Sequence, residues 1–401
     1  MNVAEKLFCR VFQFGFKVAI PILPYRNPKI LNRIDQIPKT LEEQGITSVL
    51  LVTDAGIRGL GLTKHLEELL QTNGIRLAVY DKVQANPTVD QVEEARQLYL
   101  QNECQATIGF GGGSSMDCAK AVGVLIARPD KTLADLGGIL RVWKKTPFMI
   151  AVPTTAGTGS ETTVAAVISE PETKHKYAIM DFPLIPDIAV LDPETTRSLP
   201  PAVTAGTGMD TLVHAVEAYI GRSTTKLTRR EALRCVRLVF DNLEKAYKNG
   251  NNMRARRNMM RASYLGGCAF TVSYVGYCHA VSHSLSARYN VPHGQTCAVL
   301  FPYVLEAYGA AIYPQLKALA VAARLCHLDA DETYAAKLFI EAVKDLNRKI
   351  GIGTTVPGIR EEDIPNLARQ AAKEGNPVYP VPVLMDAKAL KQFYYDVYER
   401  N

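Results

Sequence analysis

Between residues 46 and 192, short apolar runs alternate with longer stretches of helical period. The runs 49–53 (VLLVT), 77–80 (LAVY), 106–110 (ATIGF), 148–152 (FMIAV) and 188–191 (IAVL) show almost no polar alternation. That is the pattern of strands covered on both faces, as in a parallel sheet. Helical periodicity predicts helices between them, at 63–72, 89–101 and 115–127. From Pro200 onward strand-like runs become few, and helices are predicted over 208–219, 228–248, 252–270, 279–289, 307–326, 333–350 and 387–398. The turn-rich stretch 192–201 (DPETTRSLPP) separates the two regimes. The pattern therefore predicts an α/β domain with a mostly parallel sheet over 31–195 and an all-α domain over 196–401. Residues 1–30 form an N-terminal extension, expected to be helical.

The chain's 401 residues suit two cores better than one. Its 46 basic and 40 acidic residues leave a net charge of +6. The Arg-rich stretches 226–237 and 254–261 are interleaved with apolar residues. They read as solvated helix faces, so no nucleic-acid partner is expected. Eight scattered cysteines include no CxxC pair, which points to a reducing cytoplasm. The apolar segment 7–23 is interrupted by Arg10 and Lys17 and lacks a small-residue cleavage site. It is expected to pack as a helix on the body or on a partner subunit. A helix lying on a membrane surface is the alternative.

Two loops carry nucleotide-binding chemistry. Gly109-Phe110-Gly111-Gly112-Gly113-Ser114-Ser115-Met116-Asp117 follows a predicted strand and opens a predicted helix. Glycines let the backbone approach a phosphate, and the helix start offers unpaired N–H groups. The motif is neither GxGxxG nor a P-loop. Pro153-Thr154-Thr155-Ala156-Gly157-Thr158-Gly159-Ser160-Glu161 also follows a strand and supplies hydroxyls without bulk. Two such loops at strand C-termini match the way open α/β sheets bind nucleotides. Asp54 ends the first of the five runs. It can accept from a ribose diol and repel a 2′-phosphate, favouring NAD over NADP, or simply cap the turn before Gly56.

Four of the seven histidines fall between 214 and 293: His214, His279, His283 and His293. Asp210 lies one helical turn before His214, and His279 one turn before His283. His293 sits in a Pro292-His293-Gly294 turn. A carboxylate and imidazoles on separate helices make a plausible divalent-metal site. Spacing leaves open which three histidines bind.

Four blocks together resemble the iron-containing (group III) alcohol dehydrogenase family of the dehydroquinate synthase-like superfamily. They are Gly111-Gly112-Gly113-Ser114 with Asp117; 153–161; Gly208-Met209-Asp210 with His214 and Glu217; and His279 through His283 to Pro292-His293-Gly294. The resemblance runs over roughly residues 30 to 400. It implies an N-terminal nucleotide-binding α/β domain, an all-helical metal-binding domain, and an active site in the cleft between them. It assigns Asp210, His214, His279 and His293 as metal ligands and leaves His283 beside the metal as a proton-relay group. It also places Asn86, Thr154, Thr155, Thr158, Thr163 and Lys176 along the cofactor, beside Gly111, Gly112, Gly113, Ser114 and Asp117. Two segments depart from the family: the first 30 residues and 271–278 (TVSYVGYC), where Tyr274 and Tyr277 are expected to reshape the substrate pocket.

The resemblance implies hydride transfer between a small alcohol or aldehyde and NAD, with Fe²⁺ as the expected metal and Zn²⁺ or Ni²⁺ chemically suited too. A homodimer or higher homo-oligomer without membrane association is expected. A related lyase that uses NAD transiently would need several basic residues to grip an anionic substrate beside the metal, and 271–293 does not supply several. A non-enzymatic scaffold would not need both nucleotide loops and a metal cluster.

Overall fold

A computed structural model describes residues 1–170 and 175–399. The first half of the chain begins with α1 (Val3–Ala19), β1 (Lys29–Leu31), α2 (Ile37–Glu43), β2 (Ser48–Val52), α3 (Ala55–Gly59), α4 (Lys64–Thr72), β3 (Arg76–Tyr80) and α5 (Val89–Gln101). It continues with β4 (Ala106–Gly111), α6 (Gly113–Ala127), α7 (Leu133–Leu136), β5 (Gly138–Ile139), β6 (Phe148–Pro153), β7 (Ala165–Glu170), β8 (His175–Met180) and β9 (Ile188–Val190). Helices follow: α8 (Pro201–Ile220), α9 (Lys226–Lys248), α10 (Met253–Ser273), α11 (Tyr277–Tyr289), α12 (His293–Tyr308), α13 (Tyr313–Ala322), α14 (Glu332–Lys349), α15 (Ile364–Gly375) and α16 (Ala387–Asp396). The chain divides into two compact units: Pro24–Ser198, and Leu199–Asn401 joined by Met1–Leu23. The extension thus ends at Leu23, short of the expected 30, and α1 belongs with the helical unit.

In the α/β unit six strands form one parallel sheet in the order β1-β9-β6-β4-β2-β3. All five apolar runs are strands of it. Successive side chains of a strand point to opposite faces. Accordingly Val49 and Leu51 of β2 enter one core with Ile37, Leu41, Leu66 and Leu70. Leu50 and Val52 enter the other with Val92, Ala95, Cys118 and Val122. Burial on both faces explains why β2 carries no polar alternation. Sequence periodicity missed β1, whose three residues include a single buried one. It also missed a second sheet, β5-β8-β7, in which β7 and β8 pair antiparallel.

The helical unit departs from expectation at α12. The Pro292-His293-Gly294 stretch, expected as a turn, is the start of this helix: Pro292 is its N-cap and His293 its first residue. The helix is apolar nearly all round and contains Pro302, so it shows no amphipathic period. The stretch His293–Ala322 is long and apolar enough to cross a membrane, yet 61% of its apolar window is buried inside the protein. Helix α15 was likewise absent from the periodicity reading.

Helix α1 packs with its polar stripe inward. Arg10 donates to the carbonyls of Val381 and Pro382, and Gln13 to those of Pro377 and Tyr379. Leu7, Phe8, Val11 and Phe14, each more than 60% exposed, form the outward face. The expected packed helix is present, anchored by hydrogen bonds to backbone carbonyls.

Candidate metal centre and nucleotide loops

Pro201 starts α8 with a pre-set φ and no N–H to strand, after which the helix runs unbroken past Asp210, His214 and Glu217. Gly294 lets α12 approach α8 closely. A Cβ on Gly294 would stand 2.4 Å from the Gly206 carbonyl oxygen, so only hydrogen fits there. The approach carries His293 to Asp210, whose Oδ1 lies 3.5 Å from His293 Nε2 and 3.6 Å from His279 Nε2. The His214 ring stacks on Phe270 and on His279, at centroid separations of 4.1 and 4.4 Å.

Each imidazole is aimed from behind. Glu217 Oε2 accepts from His279 Nδ1 at 2.5 Å. The same carboxylate accepts from Gly276 N at 2.8 Å and Cys278 N at 2.9 Å, fixing the start of α11. Ser282 Oγ lies 3.0 Å from His293 Nδ1. With the Nδ1 atoms engaged, the Nε2 atoms face Asp210. Asp210 Oδ1 and His279 Nε2 are buried and have no hydrogen-bond partner. Buried polar atoms without partners cost free energy. A divalent cation coordinated by oxygen and imidazole nitrogen satisfies both, so the residues fit such an ion.

The electrostatics agree. Burial pushes the Asp210 carboxyl up, and the His214, His293 and His279 imidazoles more than reverse it, holding it well below the usual range. Burial pushes His279 down, but Glu217 and Asp210 outweigh this and raise it to about 10. Burial lowers His293 to about 3 against the pull of Asp210. One proton thus stands in for a cation, held on His279 between two carboxylates.

His283 stacks against His293 at 4.9 Å, and Glu374 Oε1 lies 2.6 Å from its Nδ1. Burial pushes Glu374 up, but His283 and the Tyr379 hydroxyl bring it below its usual value. An ionised carboxylate only accepts, so His283 Nδ1 carries the hydrogen. The two tyrosines flagged before His279 differ in role. Tyr277 is fully buried, and its hydroxyl donates to Asn376 Oδ1 at 2.8 Å, so it is a packing residue. Tyr274 ends α10 at φ +62° and packs edge-on against Phe16 of α1, at 4.9 Å.

In the α/β unit the chain leaves β2 for β3 on one side and returns to β4 on the other. The C-terminal ends of β2 and β4 therefore flank the point where strand order reverses, the usual place for a nucleotide in open sheets. Asp54 and Gly111 stand there. Gly111 has φ +151°, and a Cβ on it would meet Ser115 Oγ at 2.5 Å. Asn86, at φ +61°, donates its backbone N–H to Ser114 Oγ at 3.3 Å. Thr154 N donates to the Gly111 carbonyl at 2.9 Å, and Thr158 lies against Gly113. Thr155 approaches Gly112. Asp54 caps α3, its Oδ1 accepting from Ile57 N at 2.9 Å.

Asp117 and Thr163 have internal partners. Asp117 accepts from Ser160 Oγ at 2.7 Å and Val167 N at 3.0 Å. Lys120 Nζ donates to Thr163 Oγ1 at 2.8 Å, to the Thr163 and Ala165 carbonyls, and to Ser160 Oγ. This buried knot ties α6 to the second loop. Lys120 escaped the sequence reading, although Asp117 and Lys120 at i,i+3 in an otherwise apolar helix were a signal. The backbone of Lys176 pairs with Ser169 in β7, while its side chain lies outside the described residues.

Known proteins share both units. Residues 30–193 match the iron-containing alcohol dehydrogenase family, and residues 204–398 match the C-terminal part of the Fe-containing alcohol dehydrogenase family. Alcohol dehydrogenase 4 of Schizosaccharomyces pombe is 37% identical over 349 residues, 85% of this chain and 81% of its own. The NAD-dependent methanol dehydrogenase of Bacillus methanolicus is 33% identical over 352 residues, 85% of this chain and 90% of its own. A crystallised 1,3-propanediol oxidoreductase is 32% identical, with a TM-score of 0.90, over 94% of this chain and 100% of that one. Matched in order along both halves, this chain belongs to the iron-containing alcohol dehydrogenase family.

Proposed function

We propose that this protein is a metal-dependent alcohol dehydrogenase that exchanges hydride between NAD and a small alcohol or diol. Asp210, His214, His279 and His293 are its metal ligands, with Fe²⁺ the favoured ion and Zn²⁺ or Ni²⁺ chemically suited. The observation that carries this reading is the pair of buried, unpartnered atoms, Asp210 Oδ1 and His279 Nε2, beside His293 Nε2.

When bound, the metal supplies Lewis acidity that makes an alcohol hydroxyl easier to deprotonate. Glu217 and Ser282 hold two of the imidazoles in the orientation a cation needs. His283 carries the released proton, since an imidazole can both accept and donate one and Glu374 fixes its tautomer. The N–H groups at the start of α6 and the hydroxyls of Thr154, Thr155 and Thr158 would line the diphosphate of the cofactor. Asn86 and Ser114 would complete that lining, while Asp117 and Thr163 shape it through Ser160 and Lys120; Lys176 is kept as a cofactor residue on the family resemblance alone. Asp54, with Oδ1 on Ile57, has Oδ2 left for a ribose hydroxyl, which favours NAD over NADP. The outward apolar face of α1 supports a homodimer or larger oligomer, readable by sedimentation of the full chain. Eight free cysteines support a cytoplasmic location.

Short alcohols and diols, assayed with NAD⁺ and NADP⁺ on metal-reconstituted protein, test the reaction. His279→Ala and His293→Ala are expected to lose metal and NADH formation together. His283→Ala should keep metal while turnover falls. Loss of metal from His283→Ala but not from His279→Ala would overturn the ligand assignment, and equal use of NADP⁺ would remove the role given to Asp54.

A further inference from the structure

Cys297 lies one turn after His293 on α12, so both side chains project from one helix face. It is fully buried. Its Sγ is 3.5 Å from His293 Nε2 and 4.0 Å from Nδ1. Single ligand atoms of Asp210, His279, His293 and Cys297 all lie within 4.8 Å of one another.

These spacings are those of atoms around a shared ion. A nitrogen about 2.1 Å and a sulfur about 2.3 Å from a tetrahedral metal stand about 3.6 Å apart. Two oxygen or nitrogen ligands at about 2.1 Å stand about 3.4 Å apart. The 3.5 Å between Cys297 and His293, and the 3.5 and 3.6 Å from Asp210 to the two histidines, fall on these values. The two unpartnered atoms, Asp210 Oδ1 and His279 Nε2, belong to the same group.

Resting on the metal reading given above, we propose that Cys297 is a further metal ligand, making a mixed oxygen, nitrogen and sulfur shell. As the metal–sulfur bond forms, the S–H bond breaks and the proton passes to buffer. A thiolate in the shell raises the site's preference for zinc, cobalt or cadmium over harder divalent ions. Cys278, the other cysteine near the cluster, is placed differently: its thiol donates to the Cys297 carbonyl at 3.4 Å.

Cobalt substitution of the full chain tests this, because thiolate-to-cobalt charge transfer gives a near-ultraviolet band that oxygen and imidazole ligands do not. The cobalt protein is expected to show that band beside its visible ligand-field bands. Cys297→Ser and Cys297→Ala should lose the charge-transfer band while keeping bound cobalt and the ligand-field bands, and Cys278→Ser should keep both. Cobalt bound with ligand-field bands but no charge transfer overturns the role of Cys297 and leaves the oxygen–imidazole site standing. A charge-transfer band that survives in Cys297→Ser also overturns it. Failure of the unmodified chain to bind cobalt, zinc or iron overturns both readings.

Discussion

Glu217→Gln tests the metal centre through a residue that touches neither metal nor substrate. The Glu217 side chain is 2% exposed and accepts three hydrogen bonds, from Cys278 N on Oε1 and from Gly276 N and His279 Nδ1 on Oε2. Glutamine keeps the shape but turns one oxygen into a donor. With the amide nitrogen at the Oε1 position, it faces Cys278 N–H, so that donor and the amide's own go unpaired, at a cost of about 1–3 kcal/mol each. Turned the other way, it faces two donors and drives His279 to the tautomer with hydrogen on Nε2, where a metal needs a lone pair. Either way the charge that makes His279 a strong base is gone. Losing such a partner behind a ligand weakens metal binding about 10–100-fold, or about 1.4–2.7 kcal/mol. Chelator-competition titration with Zn²⁺ reads the affinity. Thermal unfolding of the metal-free protein reads the unpaired donors, at about 2–4 °C per kcal/mol for a domain of this size. A variant whose Zn²⁺ affinity stays within about twofold of the parent would refute the argument that Glu217 aims and charges His279.

Two more outcomes follow from close packing and burial. Burial lowers Lys120 to about 8 from 10.5, against the pull of Asp117 and Glu161. Between those values the unfolded chain binds more protons than the folded one, so stability rises with pH across that window. Relative to Lys120→Met, the parent should gain on the order of 3 kcal/mol of unfolding free energy from about pH 7.5 to 10.5; a difference that does not change with pH would show that the buried lysine stays charged. Gly294→Ala places a methyl 2.4 Å from the Gly206 carbonyl oxygen, so α12 must move away from α8 and take His293 with it. Bound metal should fall sharply with helical circular dichroism retained, and a full metal complement in this variant would show that the two helices need not touch.

Five of the six strands of the large sheet were readable because each is covered on both faces, so continuous apolar character survives in the sequence. Strand β1 was not, because three residues with one buried carry no pattern. Helix α12 was hidden for a related reason: a helix buried nearly all round has no polar face to set its period. Asp210 with His214 and His279 with His283 were legible as pairs because a helix places i and i+4 on one face.

Local spacing ends at the helix. That Asp210 meets His279 and His293 depends on α8, α11 and α12 packing together, and that packing turns on the hydrogen-sized gap at Gly294, against the Gly206 carbonyl. Glu217 stood in a recognisable block, yet only its reach to Gly276, Cys278 and His279 shows what it supports. Cys297 looked like one more scattered thiol until the start of α12 moved to His293 and set it one turn away. Residue types and their periodicity are properties of short stretches of chain. The distances that make a metal centre are set by side chains far apart in sequence, which meet only after the helical core has closed around them.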